Sequence, residues 1–161
     1  MTLTAFTSYD NVRAALGVTT KDLPDGTLGL SYYEDSLAEG LDDVHTSLVN
    51  AFEEAASADP QSDAQSRLVR SARLYATFVV AKAALPALRL AAPQQVTDGK
   101  AGMTRFNDPF IELERRIDDN CSRAKTKLDA ALQEVLKAGS SRVARVWFSV
   151  INPDSDPVTG E

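Results

Sequence analysis

Between Tyr33 and Phe52 the apolar residues fall at Tyr33, Leu37, Leu41, Val44, Leu48 and Phe52, a spacing of three and four that only a helix can bring to one side. The pattern predicts a helix from Ser31 to about Ala58, where Asp59 and Pro60 break it. A second stripe, Phe110, Leu113, Ile117, Cys121, Ala124, Leu128, Ala131 and Val135, predicts a helix that Pro109 opens and Gly139 closes. Between them, residues 61–92 are rich in Ala and apolar on most sides through Leu68, Tyr75, Phe78, Val79, Leu85 and Leu88. A helix apolar around most of its circumference is the central one of a bundle, with a kink or early end expected at Pro86. Near the N-terminus, Ser8 can cap a short helix carrying Tyr9, Val12 and Leu16, with Gly17 as its left-handed stop. The fold class is therefore all-α: a small antiparallel bundle of three main helices plus a short N-terminal helix.

Two stretches fall outside this pattern. Residues 93–108, PQQVTDGKAGMTRFND, read as a loop long enough to suggest function or disorder. The tail SSRVARVWFSVINPDSDPVTGE carries the single tryptophan in a run of strand length. Val143, Arg145, Trp147, Ser149 and Ile151 alternate with Ala144, Val146, Phe148 and Val150, which predicts an extended arm with apolar groups on both sides. No other strand of similar quality is present to pair with it, and the alternative is irregular chain packed back on the bundle. The organisation expected is a bundle over residues 1–139 and an arm over 140–161.

The net charge of −6 and pI near 4.8 argue against a protein that grips phosphate backbones, which takes clustered Lys and Arg. Charge is also segregated. Ser31 to Asp59 holds Glu34, Asp35, Glu39, Asp42, Asp43, Glu53, Glu54 and Asp59 with no Lys or Arg, whereas Ser66 to Val96 holds Arg67, Arg70, Arg73, Lys82 and Arg89 with no acid. These edges could pair between neighbouring helices, stand as two solvated faces, or serve a subunit interface. Lys82, Pro86 and Arg89 interrupt the most apolar run, Leu74 to Ala92, so a buried helix is expected rather than a membrane span. The first residues lack the basic flank and apolar core of a signal peptide.

The inventory for catalysis is thin. His45 is the only histidine and Cys121 the only cysteine, so neither a disulfide nor zinc spacing is available, and the acids of the second helix lack a Glu-x-x-His partner. TDGKAG has neither the spacing of a phosphate loop nor a strand before it, and DSDPVTGE falls short of a calcium loop. No enzyme activity, cofactor or metal site is expected; contact with other macromolecules is.

The order of features, YDNVRAALGVTTKDLPDGTLGL, then an acidic helix, then DGKAGMTRFNDPF before a charged helix, resembles the small head-to-tail connector (adaptor) proteins of long-tailed bacteriophages, from Tyr9 into the tail. The resemblance implies a homo-oligomeric ring, dodecameric when assembled, placed below the portal protein of the filled head. It also implies a tail-side neck or stopper protein as a second partner and a location in the virion neck after synthesis in the host cytoplasm. DNA would pass through the channel without specific binding, the acidic helix serving as a repelling wall, and no membrane is involved. Carried onto this chain, the arm that docks on the portal or a neighbouring subunit is Val143, Arg145, Val146, Trp147, Phe148, Val150 and Ile151, with Trp147 and Phe148 as anchors. The loop supplies a second contact through Lys100, Met103, Arg105 and Phe106. The alternative is a helical interaction or regulatory module whose C-terminal segment is a peptide-like ligand for one partner.

Overall fold

A computed structural model describes residues 2–91, 95–98, 101–104 and 109–150, with side chains for 2–89 and 110–138. Seven helices occur among the described residues: α1 (Leu3–Phe6), α2 (Tyr9–Leu16), α3 (Asp25–Leu28), α4 (Ser31–Asp42), α5 (Leu48–Ser57), α6 (Asp63–Ala91) and α7 (Pro109–Val150). The helical class expected from the stripes is what the chain adopts. α6 is the hub, since α7, α4, α2, α5 and α1 all pack on it. Its small residues Ala72, Ala76, Ala81 and Ala84 are buried and let these neighbours approach from several sides.

α2 follows its sequence signals closely. Ser8 Oγ accepts the amide of Asn11 at 3.2 Å, and Gly17 takes φ 71°, the left-handed geometry that glycine adopts without a Cβ penalty. α1 was not foreseen. It places Leu3 and Phe6 in the core, with Phe6 stacked on Phe52 of α5 at 4.2 Å between ring centroids.

The helix expected from Ser31 to Ala58 is two helices, α4 and α5, separated at residues 43–47. The apolar stripe itself is right, because Leu41, Leu48 and Phe52 are buried and Val44 packs against them. What breaks the helix is local competition: the His45 ring nitrogen Nδ1 accepts the Ser47 amide at 3.1 Å and lies 2.8 Å from its hydroxyl. The run DDVHTS is poor in strong helix formers and rich in side chains that bond nearby backbone. Pro86, by contrast, does not end α6. It is exposed, so water can serve the carbonyl that loses its partner, while Leu85 and Leu88 beside it stay buried.

Two further expectations need correction. Residues 93–108 contain an antiparallel hairpin, β1 (Gln95–Asp98) and β2 (Ala101–Thr104), with Val96 opposite Met103 and Asp98 opposite Ala101. The tail is not an extended arm, because α7 passes through Gly139 and continues to Val150. One glycine costs a helix only about 1 kcal/mol relative to Ala, and no proline follows before Pro153. The boundary set between residues 139 and 140 is therefore not marked by a change of secondary structure, and Val143, Arg145, Val146, Trp147, Phe148 and Val150 are helical. Ile151 lies outside the described residues.

Candidate functional site

α6 and α7 form an antiparallel pair whose register is fixed by ion pairs. Arg67 meets Glu134 at 2.8 Å, Lys82 meets Asp118 at 2.8 Å, and Arg89 lies 3.8 Å from Glu114. All six side chains are substantially exposed, so each pair contributes about 0.5 kcal/mol and serves mainly to report alignment. In that register Asp63, the first residue of α6, falls opposite the region of Leu136 to Ala138 on α7. The remaining part of α7, from about Gly139 to Val150, has no counterpart on α6. At 1.5 Å per residue this overhang is roughly 18 Å long.

The sequence-predicted contact residues are thus divided between two places. The hairpin follows the Ala91 end of α6, whereas Val143 to Val150 belong to the far end of α7. The α6 rod between these ends measures roughly 43 Å at the same rise per residue. Met103 is in β2 opposite Val96, and Lys100, Arg105 and Phe106 lie outside the described residues. The signal for the hairpin was present: Val-Thr-Asp-Gly-Lys-Ala leaves Gly99 and Lys100 between two short alternating runs, the two-residue connection that hairpins favour. The signal for the helix was present too, since Val143, Val146, Trp147 and Val150 keep the i, i+3, i+4, i+7 spacing.

The opposite side of the molecule is acidic. Asp35, Glu39, Asp42, Asp43, Glu53, Glu54 and Asp59 are exposed, and none of the ion pairs among the described residues engages them. Pairing of this edge with the α6 bases, one of the three arrangements the sequence left open, is absent among the described residues; the α6 bases that are paired reach α7 instead. Segment 31–59 carries a charge of −8 within a total of −6, which leaves +2 for the rest of the chain.

A third feature escaped the sequence reading. Arg13 is buried on the apolar side of α2, where it donates to the Leu23 carbonyl at 3.0 Å, Asp25 Oδ1 at 2.7 Å and Asp10 Oδ1 at 2.8 Å. The bonds to Asp10 and then Asp25 push its already high pKa further up, so it stays charged at any relevant pH. It pins the Leu-Pro-Asp turn to α2 and lines an open cleft of ≈ 470 Å³ together with Thr4, Ser8, Asn11 and Arg73. An arginine beside Val12 and Leu16, followed by an acid in the next turn, was the available clue.

His45 is exposed and tied to Ser47. The Cys121 thiol is half-buried, and burial pushes its pKa up, away from the thiolate that would react. Among the described residues no group of three or more His, Cys, Asp or Glu is placed to hold a metal ion, and no helix is long and apolar enough to cross a membrane. No family model matches this chain, and no curated protein or solved structure matches it either.

Proposed function

We propose that the chain is a structural virion protein of the head-to-tail adaptor kind, a ring subunit that sits below the portal and joins a DNA-filled head to its tail. The observation that carries this reading is the overhang of α7, a helix that outruns its own hairpin partner by about three turns. The apolar residues of the tail lie on that overhang, and the hairpin lies at the other end of the α6–α7 pair. A subunit that must bridge two partners, portal on one side and stopper on the other, needs contacts at two separated ends. The exposed acids Glu53, Glu54 and Asp59, on α5 and just after it, suit a channel wall along which DNA slides, because like charge repels phosphate and leaves nothing to release.

The docking mode follows from the correction to the tail. An extended arm would add a strand to a partner sheet; a helical arm lays one face into a groove. Residues 139–150 continue α7, so the arm is offered to the portal already helical. The subunit is then weakly associating by itself and forms a ring when offered its portal.

Deleting Ser140 to Glu161 tests the reading. The buried residues among those described run from Leu3 to Leu132, all outside the deletion, so the truncated protein is expected to keep the rest of its helical circular dichroism and its cooperative unfolding. Binding to the portal protein, measured by co-sedimentation, is lost. Loss of fold on truncation would make the segment core, and retained portal binding would remove it as the arm.

A further inference from the structure

We propose that two faces of this molecule bind each other in successive copies of the chain: the acidic outer face of α4 and the arginine edge of α6. On α4, Tyr32, Asp35, Glu39 and Asp42 recur on the side away from Tyr33, Leu37 and Leu41, which are buried. Tyr32 is 59% exposed, a large apolar group at the head of an acidic stripe. On α6, Arg70 and Arg73 flank Leu74, which is 44% exposed. Neither arginine's side chain has an ion pair or hydrogen bond among the described residues, and the three acids have no ion pair.

Geometry explains why these charges stay unpaired. α4 meets α6 where Gly40 faces Val79. Arg70 is nine residues before Val79, and at about 100° per residue that places it half a turn away, on the side of α6 opposite α4. The two faces cannot meet within one molecule. They are complementary in sign, each carries one exposed apolar side chain, Tyr32 or Leu74, and both occur once per chain, so a second copy satisfies both. A nucleic acid would use the arginines and leave the acidic face uncovered; a cationic partner would do the reverse.

A contact between different patches is heterologous. It propagates from copy to copy and closes into a ring or runs on as a filament according to the rotation at each step. The proposal rests on the ring reading above only for closure. The contact itself is a property of the chain.

Charge reversal tests it. One variant carries Asp35→Lys and Glu39→Lys, the other Arg70→Glu and Arg73→Glu, and sedimentation velocity follows mass against protein concentration at low salt. The wild-type chain gains mass with concentration and loses that gain in half-molar salt, where screening shortens the reach of surface charge. Each variant alone associates about tenfold or more weakly, because attraction at both positions becomes repulsion. Mixed in equal amounts the two variants associate again, since the reversed face of one meets the reversed edge of the other and the native face and edge that remain meet as in the wild type. A wild-type chain that stays monomeric throughout, variants that associate like wild type, or a mixture that stays monomeric would each overturn the proposal. Self-association by this contact in a chain that fails to bind portal would refute the adaptor reading alone; rings on the portal that assemble normally from either variant would refute the contact alone.

Discussion

Gly40 is the point where α4 comes nearest to α6, and replacing it gives a prediction whose sign can be reversed at will. A Cβ at Gly40 would stand 2.9 Å from Val79 Cγ1 and 3.2 Å from Cγ2, with Val79 Cβ at 3.7 Å behind them. Alanine in a helix interior is favoured over glycine by about 1 kcal/mol. Against that, Val79 is β-branched and cannot swing both methyls aside, so α4 itself must move. Overpacking of this kind costs typically 1–3 kcal/mol. Displacing α4 also stretches the 2.9 Å bond from the Tyr75 hydroxyl to the Gly40 carbonyl, one turn along the same seam. The expected net effect of Gly40→Ala is a loss of about 1 kcal/mol.

In a Val79→Ala background both crowding methyls are gone. The helix preference then acts alone, and Gly40→Ala stabilises by about 1 kcal/mol, a coupling of roughly 2 kcal/mol across the cycle. Equilibrium urea unfolding followed by far-ultraviolet circular dichroism measures all four proteins, with equal slopes as the check that each unfolds in two states. If Gly40→Ala stabilises the wild-type background, the approach of the helices is not close enough to matter. If it destabilises both backgrounds equally, the cost lies somewhere other than Val79.

Two other outcomes follow from single side chains. Burial first, and the negative neighbours Cys121 and Asp43 after it, push the Tyr75 hydroxyl up to about 12 from an ordinary value near 10. The unfolded chain therefore releases this proton first; stability is full below pH 10 and falls between pH 10 and 12, and Tyr75→Phe should flatten that alkaline limb in pH-dependent urea melts. Arg13→Met should lower the melting temperature and loosen the turn at residues 19–25, seen as faster exchange of the Leu23 amide that donates to Thr19, whereas Asp10→Asn, at a position itself exposed, should change little.

How much of this was legible in the sequence depended on whether one physical signal stood alone. Ser8 and Gly17 bounded α2 correctly because a cap hydroxyl and a left-handed glycine are local requirements that packing does not override. The stripe from Tyr33 to Phe52 identified the buried residues but not the break at residues 43–47, since Leu41, Val44 and Leu48 keep facing the core whether or not the ladder between them is continuous. Pairing of the charged edges was unreadable for a different reason. Composition shows that acids and bases are segregated, but which helix receives Arg67, Lys82 and Arg89 is set by tertiary arrangement, and the receiver is α7. Arg13 was hidden by its own type, because an arginine in a helix is ordinarily solvated and only the Leu23 carbonyl and Asp25, ten and twelve residues on, reveal otherwise.

The tail shows what a short apolar run leaves undecided. In VARVWFSV, large residues are so dense that both a period of two and a period near three and a half find matches, and length alone favours a strand. Continuity settles the matter in favour of helix: α7 arrives at Gly139 already nucleated, so each further residue adds a backbone bond without repeating the costly first turn. A separate strand would have needed an edge to pair with, and the hairpin edge belongs to the other end of the α6–α7 pair. The consequence for recognition is concrete. Strand spacing would have set Trp147 with Arg145 and Ser149, and Phe148 with Val146 and Val150. Helical spacing groups Val143, Val146, Trp147 and Val150 on one face and turns Phe148 about 100° away from Trp147. A partner that reads this segment as helix therefore needs one groove for the Trp147 face, with Phe148 at its flank by spacing rather than on the opposite side as in a strand.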